Sequence, residues 1–314
     1  MTTCAEGRMM GVESDFRCGF AALLGRPNVG KSSIINALLK EKVAAVSPKP
    51  QTTRNAVRCI YTTASEQIVF VDTPGIHAPK HALGGFMLKE AEEALLSVDV
   101  VCYVVEAQDR AVGEKDGIIL KMLASLSRPV VLTVNKIDKL ARTEDYKKAV
   151  AIYEKFIKPA AVAPLSANKG TGLEGLAAAI SALLPRQPAI YPEDMLMDST
   201  ERFLASEVIR EKILRHTDEE VPHSVAVLID EFKSPDEHPG EKLCTIRATV
   251  IVERPGQKGI IIGKNGTMLK QIGSEARREL EERLGYKLFL QLWVKIKPGW
   301  RKSPEELRRL GYRS

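Results

Sequence analysis

Gly25-Arg26-Pro27-Asn28-Val29-Gly30-Lys31-Ser32 decides the fold. The apolar run 19–24 leads into it, and Ile34, Ile35, Leu38 and Leu39 follow at helical spacing. That order is strand, glycine-rich loop, helix. Its glycines let successive amides turn toward phosphate oxygens with no Cβ in the way, and the helix adds its positive N-terminus. In such a loop Lys31 supplies charge to the β and γ phosphates, and the Ser32 hydroxyl ligates Mg²⁺. Gly25, Arg26, Pro27, Asn28, Val29, Gly30, Lys31, Ser32 and Ser33 are therefore the first candidate nucleotide-binding residues.

Apolar runs recur at 68–71, 98–105, 130–134 and 161–165, with helical spacing over 118–126, 146–156 and 176–184. This alternation predicts an α/β domain whose mostly parallel sheet is covered on both faces, with ligand loops at the strands' C-terminal ends. Asp72-Thr73-Pro74-Gly75 follows one such strand. Asp72 is placed to hold Mg²⁺ through water, and the Gly75 amide to sense a γ phosphate, so that the segment orders with triphosphate and relaxes after hydrolysis. The loop 43–57 carries Gln51-Thr52-Thr53-Arg54, from which one threonine closes onto Mg²⁺. Thr53 is favoured, with Thr52 as the alternative.

Asn135-Lys136-Ile137-Asp138 chooses the base. A carboxylate at Asp138 accepts from the N1 and N2 donors of guanine, whereas adenine leaves it unpaired at a cost of ~1–3 kcal/mol or more. Ser166-Ala167 follows the last strand of this series, and its position favours an Ala167 amide that contacts guanine O6, with a plain helix cap as the alternative.

The 314 residues predict two domains, and 44% hydrophobic with 27% charged residues is a globular composition. No apolar run reaches the ~18 residues of a membrane-spanning helix. Residues 1–16 lack the apolar core of a secretory signal and read as a disordered extension. Five scattered cysteines define neither a zinc site nor a disulfide framework. Charge is uneven: 241–314 holds 17 Lys/Arg against 8 Asp/Glu, or +9 in a chain of +6. The C-terminal part thus carries the basic surface, and nucleic acid is the ligand it suits.

Prolines at 185, 188 and 192 mark 186–200 as a linker between a domain at 17–185 and another at 201–303, with a helix or tail at 304–314. The second domain reads as helix (201–214), strands (224–231 and 243–252), helix, Gly263-Lys264-Asn265-Gly266, helix, strand (287–297). A Gly-x-x-Gly loop between helices admits a nucleic-acid backbone closely, as in KH domains. Candidate RNA contacts are Gly263, Lys264, Asn265 and Gly266, with Lys258, Trp300 and Arg301 nearby in sequence. Trp300 reads equally well as an anchor for the last helix. On the final strand, Leu288, Leu290, Leu292, Val294 and Ile296 form one face, while the other alternates Phe289 and Trp293 with lysines. That second face reads either as an RNA platform or as packing.

Together these elements resemble P-loop GTPases of the TrmE-Era-EngA group over 17–185. The element order of the second domain is that of a type II KH domain. With Ile209-Arg210-Glu211-Lys212 and Glu220-Val221-Pro222-His223-Ser224 added, the resemblance is to the Era family over 17–303. It implies a GTP-hydrolysing switch in which Lys31, Thr53, Gly75 and Asn28 serve catalysis and Ser32, Thr53 and Asp72 hold Mg²⁺. Ile76 stands where Ras-like enzymes carry a water-positioning glutamine, which implies slow intrinsic hydrolysis. In this group an asparagine at Asn28 resembles a K⁺ ligand; bracing the loop is its alternative role. His77 is incidental on most readings and a base on one. The resemblance also implies a monomer in the cytoplasm that binds the 3′ end of 16S ribosomal RNA in 30S assembly, with peripheral membrane contact. The extension 1–16 and the Ser166-Ala167-Asn168 sequence lie at or beyond its edge.

Overall fold

The computed structural model describes residues 15–47, 49, 51–79, 81–237 and 243–312. Most of the expected disordered extension, residues 1–14, lies outside them.

The N-terminal domain runs β1 (Arg17–Leu24), α1 (Lys31–Leu39), β2 (Val57–Thr62), β3 (Glu66–Asp72), α2 (Ala82–Leu96), β4 (Val100–Glu106), α3 (Glu114–Ala124), β5 (Val130–Asn135), α4 (Tyr146–Tyr153), β6 (Ala161–Pro164) and α5 (Leu173–Ser181). The strands lie in the order β6-β5-β4-β1-β3-β2, followed by a seventh, β7 (Met197–Asp198). All pairs are parallel except β2 with β3 and β2 with β7. The apolar runs of β1 and β4 are continuous rather than alternating because both sheet faces are covered. Ile34, Ile35 and Leu38 of α1 join Leu176, Ala177 and Ile180 of α5 on one face. Residues of α2, α3 and α4, with Ile76, fill the other.

Two elements are not anticipated by the sequence: β2, at the end of the 43–57 loop, and α2, whose Gly84-Gly85 pair reads as a turn signal. The linker is held against the first domain. Gln67, fully buried on β3, accepts from the amides of Ile190 (2.8 Å) and Tyr191 (2.9 Å) and donates to Tyr191 O (2.9 Å). Segment 186–200 is thereby fastened to the sheet edge and ends by adding a strand to it.

The second domain comprises α6 (Glu201–His216), α7 (Val221–Ser224), β8 (Ala226–Lys233), β9 (Cys244–Val252), α8 (Pro255–Ile262), α9 (Thr267–Leu284) and β10 (Leu288–Ile296), then α10 (Pro304–Arg309). Its sheet is ordered β10-β9-β8, with β9 antiparallel to β8 and parallel to β10. One sheet face buries Ile209 and Ile213 of α6, Ile261 of α8, and Ile272, Ala276 and Leu280 of α9. A separate apolar cluster joins the two domains: Leu83, Phe86 and Met87 of α2 meet Ala226, Ile251, Trp300, Leu307, Leu310 and Tyr312. Phe86 stands edge-on to Tyr312 (5.5 Å), and Trp300 stacks on Tyr312 (6.1 Å). The tail at 304–312 is thus the filling of the domain junction.

Candidate nucleotide site and nucleic-acid interface

The motifs converge because each follows a parallel strand and therefore lies at the same end of the sheet. The 25–33 loop leaves β1, 72–75 leaves β3, 135–138 leaves β5 and 166–167 follows β6. Between them lies a cleft of about 360 Å³ lined by Asn28, Gly30, Lys31, Ser32, Ser33, Thr53, Gly75 and Lys136, among others. A larger cleft, about 750 Å³, lies between the domains and is lined by Lys42, Lys212, Glu279 and Arg283 among others.

At the phosphate end, Ser32 Oγ donates to Asp72 Oδ2 at 2.6 Å. Thr53 Oγ1 lies 3.2 Å from both atoms. Thr52 instead turns its hydroxyl to Lys49 O (2.7 Å), away from the group. Asp72 is fully buried, and its other oxygen, Oδ1, has no hydrogen-bond partner. Burial raises its pKa, against the opposing charge of Lys31 and the bonds from Ser32 and Thr53. Two hydroxyls and an under-satisfied carboxylate form a hard-oxygen set that fits Mg²⁺, which binds few protein groups and keeps water and phosphate ligands. Among the described residues no cluster of three His, Cys, Asp or Glu offers another metal site.

Lys31 is buried, and its ammonium donates to the carbonyls of Gly25 (3.1 Å) and Arg26 (3.3 Å). Burial lowers its pKa to about 8, although Asp72 opposes the shift. Thr73 is also buried, and its hydroxyl serves Leu23 O (2.6 Å) rather than the cleft. Gly75 presses on Pro27: a Cβ there would fall 2.8 Å from Pro27 Cα. The next amide, of Ile76, donates to Gly25 O at 3.2 Å, which pins this segment to the phosphate loop. Ile76 itself points into the core.

Arg26 contributes backbone only. Its guanidinium turns behind the loop to Asp109 (2.6 Å) and Asp116 (3.1 Å). Asn28 adopts a left-handed backbone (φ 66), and its carbonyl accepts from Lys136 Nζ at 2.7 Å. His77 Nδ1 lies 3.0 Å from Ala78 O, so it carries the proton, and Nε2 accepts from the Gln51 amide at 3.0 Å.

At the base end, Asn135 is a brace. Its Nδ2 donates to Val29 O (2.8 Å), while Oδ1 accepts from the amides of Lys136 (2.7 Å) and Ala167 (3.1 Å). The Ala167 amide, expected at guanine O6, is engaged with Asn135 here. Gly30 (φ 100) is required on two counts, since a Cβ would also meet Asn135 Nδ2 at 2.4 Å. Asp138 is exposed at the cleft rim, where Ser166 Oγ donates to its Oδ1; the Lys169 amide holds Ser166 Oγ at 3.1 Å.

In the second domain, Gly263 (φ 70) carries Met268 so close that a Cβ would fall 2.7 Å from its Cβ. Lys264 and Asn265 are exposed, and Lys258 half-buried, on the same helix–loop–helix. Trp300 requires a correction as an RNA contact. It is 0% exposed, stacks on Tyr312 and donates Nε1 to Ser224 O (3.0 Å), because the domain junction needs its bulk. Arg301 is half-buried, and its Nε donates to Glu253 Oε2 at 3.0 Å.

The sequence reading missed the residues that join the two sites. Arg54, fully buried, crosses into the second domain and donates to Val225 O (2.7 Å), Pro222 O (3.2 Å) and Tyr312 Oη (3.1 Å). Arg210 of α6 reaches back to Gln51 O (3.3 Å) and Thr52 O. Lys42, just beyond α1, bridges Glu211 (2.7 Å) and Glu279 (2.6 Å). Thr53 is thus flanked by backbone that the second domain holds. Arg54 lay in the quoted Gln-Thr-Thr-Arg, but nothing in sequence distinguishes it from a solvated loop arginine.

Known proteins bear out this architecture. Residues 20–136 match a family described as 50S ribosome-binding GTPase, and residues 220–301 match a KH domain. The GTPase Era of Caldanaerobacter subterraneus subsp. tengcongensis is 47% identical over 297 residues, covering 95% of this chain and 98% of that protein. An Era variant of Aquifex aeolicus bound to GDP·AlF₄⁻ superposes with a TM-score of 0.89 at 40% identity, over 95% of this chain and 100% of that one. The same TM-score, identity and coverage hold for Era in complex with MgGDPNP and nucleotides 1506–1542 of 16S ribosomal RNA. A P-loop domain with its mostly parallel sheet, a KH domain behind it, and identity at this level over almost the whole length have one meaning: this chain belongs to the Era family of GTPases.

Proposed function

We propose that this chain is a Mg²⁺-dependent GTP switch whose nucleotide state governs how its KH domain holds the 3′ end of 16S ribosomal RNA during 30S assembly. The observation that carries the coupling is the position of Thr53: its hydroxyl lies 3.2 Å from Ser32 Oγ and from Asp72 Oδ2, while Arg54 beside it is anchored in the KH domain. Relatives bound to GDP·AlF₄⁻ and to MgGDPNP with 16S RNA support the ligand classes.

In the reaction, the oxygen of water bonds the γ phosphorus, the bond to the β–γ bridging oxygen breaks, and GDP leaves. Ser32, Thr53 and Asp72 would hold Mg²⁺, which would neutralise charge at the phosphates. Lys31 turns from the Gly25 and Arg26 carbonyls to the β and γ oxygens, and loop amides point at the same charge. The Gly75 amide orients the γ phosphate. No side chain of 76 reaches water, so intrinsic turnover is slow. Asp138, steadied by Ser166, selects guanine.

K⁺ is proposed beside Asn28, where a monovalent cation offsets charge between the phosphates; equal rates in KCl and NaCl at fixed ionic strength would remove it. The chain is taken to act as a cytoplasmic monomer. Among the described residues no helix is long and apolar enough to cross a membrane, and peripheral contact is tested by vesicle sedimentation. The deciding experiment is multiple-turnover phosphate release with and without the 16S fragment 1506–1542. RNA-stimulated release, lost when Lys264 and Asn265 are replaced while GTP affinity persists, is the expected result. GTP binding without turnover under either condition would make the nucleotide a structural ligand instead.

A further inference from the structure

The KH sheet has a second face, and it is only half covered. Cross-strand rows on this face are Lys295–Ile251–Ala226, Trp293–Thr249–Leu228, Gln291–Arg247–Glu231 and Phe289–Thr245–Lys233. At the first row the junction cluster closes over Ile251 and Ala226, which are buried. In the second row Thr249 is buried and Leu228 packs against the same cluster, but the β10 side of the face is open, and two large rings stand there: Phe289 is 49% exposed and Trp293 40%. They are four residues apart on an edge strand, so about 13 Å separates them along β10.

The surroundings of the rings favour a nucleic acid. Lys233, Arg247, Lys287 and Lys295 share this face or its margin, against Asp230 and Glu231. Glu231 is engaged by Lys233 and Arg247 (both 2.7 Å), and Asp230 by the Thr249 hydroxyl (2.6 Å). Lys287 lies 3.6 Å from Glu281, and Lys295 forms no ion pair among the described residues. The amide of Gln291 lies between the rings, able to donate and accept. A membrane needs a continuous apolar patch, and here the row Gln291–Arg247–Glu231 divides the two rings. A flat sheet with separated rings, cations and an amide is a stacking platform for unpaired bases. A Gly-x-x-Gly loop clamps only about four nucleotides. The RNA bound by the solved relative, 1506–1542, is several times longer and extends well past such a groove.

We propose that this open sheet face is a second RNA-contact surface, on which Phe289 and Trp293 stack unpaired bases outside the Gly263–Gly266 groove. The proposal rests on the ribosomal-RNA reading above. Its test uses the chain's two tryptophans. Trp300 is fully buried and serves as an internal reference, while Trp293 reports on the face. Titrating the full-length protein with the 1506–1542 fragment is expected to quench Trp293 emission, a signal absent from Trp293→Phe. Phe289→Ala with Trp293→Ala is expected to weaken binding at least ~10-fold. Trp293→Tyr, which keeps a ring, is expected to retain affinity. Unchanged GTP affinity in each variant separates these effects from misfolding. RNA that binds through Lys264 with Trp293 emission unchanged, and with affinity for the double variant within twofold, overturns the proposal. Quenching by anionic vesicles but not by RNA overturns it in favour of lipid. No RNA binding by any variant or by the native chain would defeat the ribosomal reading itself, a different result from RNA bound with Trp293 silent.

Discussion

Replacing Arg54 by methionine tests whether the KH domain holds Thr53, the proposed Mg²⁺ ligand, in place. The guanidinium makes three hydrogen bonds into that domain, at 2.7, 3.1 and 3.2 Å, and lies 5.8 Å from the centre of the Trp300 ring. Burial lowers its pKa, so the native fold bears a desolvation cost that the variant recovers. Each acceptor left buried and unpaired costs ~1–3 kcal/mol. The lost cation–π contact adds up to ~2 kcal/mol in a desolvated setting. Desolvating a charged group costs several kcal/mol, which the apolar side chain restores. The balance is a loss of about 2–4 kcal/mol at the domain junction. Because water satisfies Val225 O, Pro222 O and Tyr312 Oη once the junction opens, the loss surfaces as local opening before global unfolding. The assay is amide hydrogen exchange. Protection in 51–56, 221–225 and 300–312 is expected to fall, with β1 and β4 unchanged, and Mg²⁺·GTP affinity to drop in step. Tyr312→Phe, which removes one of the three bonds, is expected to give a smaller effect that is not additive with Arg54→Met. Native-like exchange and affinity in Arg54→Met would refute the idea that the second domain restrains Thr53.

Asp138→Asn is expected to move preference from guanine to xanthine nucleotides, whose C2 carbonyl suits an amide donor; unchanged GTP selectivity in competition binding would contradict the base assignment. Ser166→Ala removes the hydroxyl that steadies Asp138, and a hydrogen bond to a charged group is worth ~1.5–3 kcal/mol, so GTP affinity is expected to fall about tenfold or more by calorimetry. For Lys31 the folded pKa, about 8, lies below the ordinary lysine value of 10.5, so the free protein has already lost this proton above pH 8 while the unfolded chain keeps it. Stability of the nucleotide-free form therefore rises through that window, whereas phosphate binding must take the proton back. GTP affinity is expected to weaken by about tenfold per unit between pH 8 and 10, with measurable proton uptake, and a flat profile would place Lys31 fully charged in the empty site.

The sequence alone was enough to place the glycine-rich loop and the candidate metal ligands and base reader on one α/β domain and a Gly-x-x-Gly loop on another. Such motifs are runs of consecutive residues whose backbone geometry brings their own chemistry, and parallel strands carry all of them to one end of a sheet. Between Thr52 and Thr53 the sequence offers no local distinction; in the fold Thr53 Oγ1 lies 3.2 Å from Asp72 Oδ2 while Thr52 turns to Lys49 O. What only the tertiary structure decided concerns burial between distant parts of the chain. Trp300 read equally as an RNA-facing ring and as an anchor, and the choice falls to Ser224, 76 residues away in sequence and against it in space. Arg54 finds its partners 171 and 258 residues downstream, and Gln67 fastens a linker 124 residues on. No local period encodes such encounters. They arise because two domains must bury a shared apolar junction, and that junction determines which charged and aromatic side chains lock the domains together and which, like Phe289 and Trp293, stay free to meet a ligand.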